Sequence, residues 1–230
     1  MTHAFADTGA DADAGAGIAL FATAIGHCGI GWTARGLAGV QLPEADEVRT
    51  RARLQRRLAG RVPAGVGMHA GARAVRVAAA DVAPNATPTP AAMPAAVRQA
   101  IAAIVQLLAG ERLAETHATL AALVLDDADQ PALYRRVHAA ARAIPPGSTR
   151  TYGDLALALG DGALARSVGQ AMGRNPWPIV VPCHRVLGSD GTLTGFSAHG
   201  GIATKRRMLA IEGVRLPHTP SLFGDDAPLS

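Results

Sequence analysis

The chain is short of cysteine, lysine, aromatic residues and long apolar runs, and each shortage excludes something. Only Cys28 and Cys183 occur in 230 residues. They are too few and too far apart for a disulfide framework, so both are expected as reduced thiols. No second cysteine or close histidine completes a zinc spacing around His27 and Cys28, and adjacent residues rarely hold one ion. No metal or diffusible cofactor is therefore expected, and Cys28 reads as a small buried hydrophobe. No stretch approaches the roughly 20 apolar residues of a membrane helix. The opening MTHAFADTGADADAGAG carries neither a basic nor an apolar block before a cleavage site, which predicts no secretory signal and a cytoplasmic protein. Lys205 is the only lysine, a bias that goes with the abundance of alanine and proves little about function.

What is present is enough for a globular core. Hydrophobic residues make up 49% and charged residues 17%, which is not the balance of a disordered chain. The net charge of +4 is unevenly spread. The segment from Pro131 to Leu216 carries 11 basic against four acidic side chains, a net +7, whereas everything before Pro131 sums to −1. A polyanion partner would account for this; a solvated basic surface would account for it equally well.

The spacing of apolar and turn residues predicts an α+β fold. A small N-terminal antiparallel-sheet domain with helices is followed by a mainly helical domain containing a helix-turn-helix. Residues 1–16 read as a disordered leader. From Gly17 to Pro43, three apolar runs separated at Gly26 and Gly36 predict a β-meander. A helix is expected over Ala45–Leu58, stopped at Gly60, and another after Pro94. The Ala/Pro-rich piece at about 82–93 reads as a linker inside a domain spanning 17–125. A second domain is expected over 130–216, followed by a tail, 217–230. Its first helix sets Leu133, Val137, Ala140, Ala141 and Ile144 on one face and is stopped by Pro145, Pro146 and Gly147. Thr151 then opens a short helix ending at Gly160, and a second helix runs to Gly173. Such a pair matches a helix-turn-helix, although helix pairs are also common in cores.

The chemistry points to NPWPIVVPCHRV. Pro176, Pro178 and Pro182 restrict the backbone leading into Cys183, the run IVV is β-branched, and His184 follows the thiol directly. An ordinary thiol is only a few per cent ionised at neutral pH, so it needs a nearby base or positive charge. His184 is the candidate base; an inert buried cysteine beside a surface histidine is the alternative.

The words IPPGSTRTYGDLA, ARSVGQAMGRNPWPIVVPCHRV and GTLTGFSAHGGIATKRRMLAIEG resemble the catalytic domain of the O6-alkylguanine-DNA alkyltransferases, also called methylated-DNA protein-cysteine methyltransferases. The close resemblance runs from Tyr134 to Leu216, and the meander resembles the family's N-terminal domain more loosely. It implies that Cys183 accepts an alkyl group from O6-alkylguanine, and from O4-alkylthymine, in double-stranded DNA. Each molecule acts once, as a monomer and without a cofactor. It further implies His184 as the base, Glu212 as the acid orienting it, and Asn175 as the brace of the active-site turn. Arg166 would replace a flipped-out nucleotide in the minor groove, while Tyr152 would press on a phosphate. Ser167 lies among small residues (Ala163, Ala165, Gly169, Ala171) that allow close approach to the backbone of DNA. Arg135, Arg174 and Arg185 are candidate phosphate contacts. Pro178, Val186, Phe196 and Ser197 are expected to line the base pocket.

Two departures stand out: Phe196 where many members have tyrosine, and a longer SAHGG loop containing His199. Three other readings compete. A non-enzymatic alkyltransferase-like lesion-binding protein would have replaced the acceptor cysteine, and Cys183 is present. A Cys-His hydrolase would need an oxyanion hole and a separate histidine. A bifunctional regulator would carry an extra zinc-binding cysteine cluster.

Overall fold

A computed structural model describes residues 15–61 and 93–216. The expected leader (up to Gly15), tail and linker (up to Met93) lie outside the described residues. The chain builds an α+β fold in the order β1 (Gly17–Thr23), β2 (Gly26–Thr33), β3 (Gly36–Gln41), α1 (Glu47–Leu58), α2 (Ala95–Leu108), α3 (Leu113–Ala122), α4 (Ala132–Arg142), β4 (Arg150–Thr151), α5 (Tyr152–Ala158), α6 (Ala165–Gly173), β5 (Val186–Leu187) and α7 (Gly201–Ile211).

The expected meander forms an antiparallel sheet, β1-β2-β3, with Gly17 opposite Trp32 and Thr23 opposite Gly26. A bulge between Gly31 and Trp32 shifts the register of β2 against β3. One face carries Phe21, Cys28 and Ile30 into the main core, which α2 joins through Val97, Ile101 and Ile104. Leu54 and Leu58 of α1, with Ala38, cover the other face. This close approach requires Gly31, because a Cβ there would collide with Leu58. Asp46 caps α1 by accepting from the Arg49 backbone N–H at 2.7 Å, so the helix starts slightly later than its pattern suggests.

The outer edge of β3 is occupied by two later segments. Leu37 exchanges backbone hydrogen bonds with Val124 and Asp126, both 2.9 Å, and Val40 N–H donates to the Pro176 carbonyl at 2.9 Å. The buried Asp126 carboxylate accepts from Thr33 Oγ1 at 2.8 Å and from Arg35 Nε at 2.8 Å. One apolar cluster therefore runs from Phe21 and Ile30 through Ile104 to Val137, Val168 and Met208.

Several local expectations need correction. In α4, Val137, His138 and Ala141 are buried; His138 lies outside the expected apolar face. Its ring stacks edge-on against Trp177 at 5.7 Å, so an aromatic contact sets its place. In the β-branched IVV run, for which no element is predicted, the backbone turns back on itself. Ile179 has φ of 77°, a left-handed conformation that strains a β-branched residue, and the segment folds into a compact turn. A 3-10 turn at Gly162–Leu164 precedes α6. Helix α3, with only Thr116 and Leu120 buried, has too narrow an apolar stripe to announce itself.

Thr151 caps α5 in a reciprocal box: Asp154 N–H donates to Thr151 Oγ1 at 3.0 Å and Thr151 N–H donates to Asp154 Oδ2 at 2.8 Å. Replacing Thr151 by alanine should lower unfolding stability by about 1 kcal/mol in urea titration; an unchanged midpoint would show that the box contributes nothing.

Candidate active site

Cys183 begins a 3-10 turn, Cys183–Arg185. The local sequence leaves the backbone few choices. Pro176, Pro178 and Pro182 remove three donors, and the remaining groups close on one another: Val181 N–H donates to Trp177 O at 2.7 Å, Cys183 N–H to Val181 O at 2.8 Å, and Arg185 N–H to Pro182 O at 2.9 Å. Asn175 braces this turn from inside. Its Nδ2 donates to Val181 O at 2.8 Å and its Oδ1 accepts from Trp177 N–H at 2.9 Å. The Trp177 indole N–H reaches the Leu37 carbonyl at 2.6 Å, fastening the turn to β3.

Behind the thiol lies a buried charged triad. Glu212 caps the C-terminal end of α7 and is 4% exposed, with His184 at 0% and Arg185 at 1%. His184 Nε2 lies 2.9 Å from Glu212 Oε1. Arg185 grips the same carboxylate through Nε at 2.9 Å and Nη2 at 2.8 Å, and donates to the Ile144 carbonyl at 2.6 Å. A bidentate guanidinium is a strong partner for a buried carboxylate. Arg185 is thus a structural anchor, a correction to the expectation that it meets a phosphate: a side chain enclosed in this way has no surface to offer DNA.

The protonation pattern follows. Burial opposes ionisation of Glu212, but the hydrogen bond from His184 and the hydrogen bonds and charge of Arg185 outweigh it and hold the carboxyl down at about 2. A carboxylate only accepts, so Nε2 of His184 carries the hydrogen. Burial is also the main effect on His184, pushing it below the ordinary imidazole value against the pull of Glu212. The ring is therefore neutral at physiological pH, and its Nδ1 presents a lone pair that has no partner among the described residues. Burial raises the Cys183 thiol above its ordinary value, while Asn175 and the charge of Lys205 act in the opposite direction. The resting group is a thiol rather than a free thiolate. Cys28, fully buried and pushed up to about 12, is inert.

Lys205 is not among the expected site residues. It is 0% exposed, and its Nζ donates to Val186 O at 2.6 Å and Thr194 O at 3.3 Å. It joins β5 to the 194–200 loop, and the spacing GGIATK was the available signal. The expected pocket residues lie on these same elements. Pro178 and Val186 are buried, Phe196 is half-buried and Ser197 is exposed; the Ser197 carbonyl accepts from Arg53 of α1 at 3.2 Å.

The expected DNA-binding residues lie on α4, α5 and α6 and at the end of α6. Val168, Ala171 and Met172 point α6 into the core, leaving Arg166 exposed and Ser167 half-buried. Tyr152, the first residue of α5, is half-buried and lies along Gly169 of α6. Arg135 and Arg174 are exposed; Arg174 reaches only Tyr134 Oη, at 3.4 Å.

Residues 132–214 match the family described as 6-O-methylguanine DNA methyltransferase, DNA binding domain. A methylated-DNA protein-cysteine methyltransferase of Mycolicibacterium paratuberculosis is 48% identical over 89 residues, covering 39% of this chain and 53% of that protein. The match thus spans about half the length of this relative. Among solved structures, the O6-methylguanine methyltransferase of Mycobacterium tuberculosis gives a TM-score of 0.54 at 27% identity, covering 90% of this chain and 99% of that one. The OGT protein of the same organism in complex with DNA gives 0.51 at 28%, covering 85% and 92%.

Glu212→Gln should leave Arg185 buried without its counter-charge and cost about 3 kcal/mol or more of stability in denaturant titration. Because the Glu212 value is depressed on folding, its stabilisation is fully present above pH 4.5 and is lost as pH falls towards about 2. Acid titration of wild type should show this loss, and the glutamine variant should lack it; parallel profiles would contradict the triad's electrostatics.

Proposed function

We propose, from the match of residues 132–214 to the DNA binding domain of the 6-O-methylguanine DNA methyltransferase family, that this chain repairs alkylated DNA by direct reversal, moving the alkyl group onto Cys183. The observation that carries this reading is the neutral, carboxylate-oriented His184 beside a thiol on a braced turn. His184 Nδ1 takes the Cys183 proton, directly or through a water. Sγ then attacks the alkyl carbon on guanine O6, the S–C bond forms as the C–O bond breaks, and the electron pair leaves with the base, which is reprotonated. Glu212 offsets the charge gained by the imidazole. A thioether does not release its carbon, so each molecule acts once. No step calls for a metal or diffusible cofactor.

A stacked O6 is out of reach, so the nucleotide is rotated out of the duplex at a cost of a few kcal/mol. Arg166 fills the gap from the minor groove, Tyr152 presses the flanking phosphate, Ser167 permits close approach, and Arg135 and Arg174 neutralise phosphates. Minor-groove contacts carry little sequence information, as a protein searching all sequences needs. Pro178, Val186, Phe196 and Ser197 enclose the base, and O4-alkylthymine is a second substrate. We read residues 17–125 as a supporting domain and 130–216 as the catalytic one, working as a monomer in the cytoplasm on nucleoid DNA. No helix among the described residues is long and apolar enough to cross a membrane.

Incubation with duplex containing O6-methylguanine should add about 14 Da to the Cys183 peptide, stoichiometrically and without added cofactor. Cys183→Ala should bind the duplex and transfer nothing; methyl transfer to that variant would refute the assignment. Arg166→Ala should slow repair of duplex more than reaction with free O6-benzylguanine, since only duplex requires extrusion. Equal slowing on both would remove the finger role.

A further inference from the structure

The active-site turn is held from outside its own domain. Three consecutive residues of the turn are bonded to the N-terminal unit: Pro176 O by Val40 N–H, Trp177 Nε1 by Leu37 O, and Asn175 O by Arg57 Nη2 at 2.7 Å. The third bond differs from the others because it brings a charge.

Arg57 sits in the last turn of α1. Its other terminal nitrogen, Nη1, donates to Gln41 Oε1 at 3.2 Å, and Gln41 is itself fixed by its bonds to Leu42 O and Glu44. The guanidinium borders a cavity of about 230 Å³ shared with Leu54, Leu58, Arg61, Arg174 and Pro176. With open space beside it, directed hydrogen bonds rather than close packing hold its orientation. Asn175 is 5% exposed and Gln41 2%, so loss of the guanidinium replaces a fixed, charged donor by less directed water at a carbonyl of the residue that braces Cys183.

We infer that Arg57 is a positioning residue for Cys183, carrying from α1 a hydrogen bond that fixes the Asn175 carbonyl and a positive charge within reach of the thiol. Burial is the dominant influence on Cys183 and disfavours its thiolate; Asn175, Lys205 and Arg57 each counter it. Arg57 acts on two of these routes at once, through its own charge and through the placement of Asn175. The groups acting on the thiol are Asn175 from the preceding loop, Lys205 from α7 and Arg57 from α1; His184 follows Cys183 in the chain, and its imidazole is bonded to Glu212, which Arg185 also grips. The inference deepens the alkyl-transfer reading and rests on it for its biological meaning, whereas the reactivity of the thiol can be measured without DNA.

The test is the pH dependence of Cys183 carbamidomethylation by iodoacetamide, in which sulfur gains carbon, iodide leaves and the thiol proton passes to solvent. Peptide mass identifies the site. Arg57→Gln keeps a donor for Asn175 without the charge; Arg57→Lys keeps the charge. In the glutamine variant the midpoint of the pH–rate profile should move upward and the rate at neutral pH should fall about twofold to fivefold, a modest change because much of Arg57 is solvated. The lysine variant should keep the wild-type midpoint. Profiles that coincide for wild type, glutamine and lysine variants overturn the inference while leaving alkyl transfer intact. Failure of wild type to accept methyl from O6-methylguanine duplex instead overturns the parent reading and leaves the thiol measurements standing. Arg57→Met, which removes both charge and donor, should slow methyl transfer at least as much as Arg57→Gln; a wild-type rate in that variant also overturns the inference.

Discussion

A carboxylate with no water around it constrains everything near it. Glu212 stays ionised in the interior only because an imidazole and a bidentate guanidinium occupy both of its oxygens, since the desolvation of such an ion costs several kcal/mol on its own. The end of α7, which carries Glu212, must therefore dock against the Cys183–Arg185 turn in one register. Arg185 extends the restraint to the end of α4 through the Ile144 carbonyl. One carboxylate thus sets the tautomer of His184, anchors the turn and ties together elements that are distant in the chain.

The thiol side of the turn depends on a different support. Asn175, Pro176 and Trp177 are bonded to β3 and α1, so the N-terminal unit acts as a template for the Cys183 loop as well as a core. Ile179, held at positive φ, is part of what that template maintains. Strain of this kind survives only where surrounding contacts over-determine the backbone. The continuous apolar cluster through both units has the same consequence: the turn cannot relax without disturbing the sheet.

Much of this was legible in the chain. Glycines at positions 26 and 36 between apolar runs marked the meander, Thr151 marked a helix start, and Pro176, Pro178 and Pro182 ahead of Cys183 marked a rigid loop. Cys183, His184, Glu212 and Asn175 could be singled out through the words in which they occur. Other features left no local trace. Arg185 looks like any surface arginine until Glu212 arrives from the end of α7. His138 joins the expected apolar face because Trp177 comes in from another segment, and the β-branched IVV run gives no sign of the turn, with Ile179 at positive φ, that it forms. Lys205 was visible in its spacing, but its burial was not.

What the sequence by itself determined is chemistry and local conformation: which atoms can act as nucleophile, base and acid, where the backbone loses donors, and where helices and turns begin. Those follow from side-chain type and from neighbours close along the chain. The tertiary structure decided which of the described basic side chains are buried anchors and which remain on the surface, which nitrogen of His184 carries its hydrogen, and how α1 reaches the Cys183 turn. Charge burial is settled by the partner a residue meets in space, and that partner is set by the packing of distant segments rather than by adjacency along the chain.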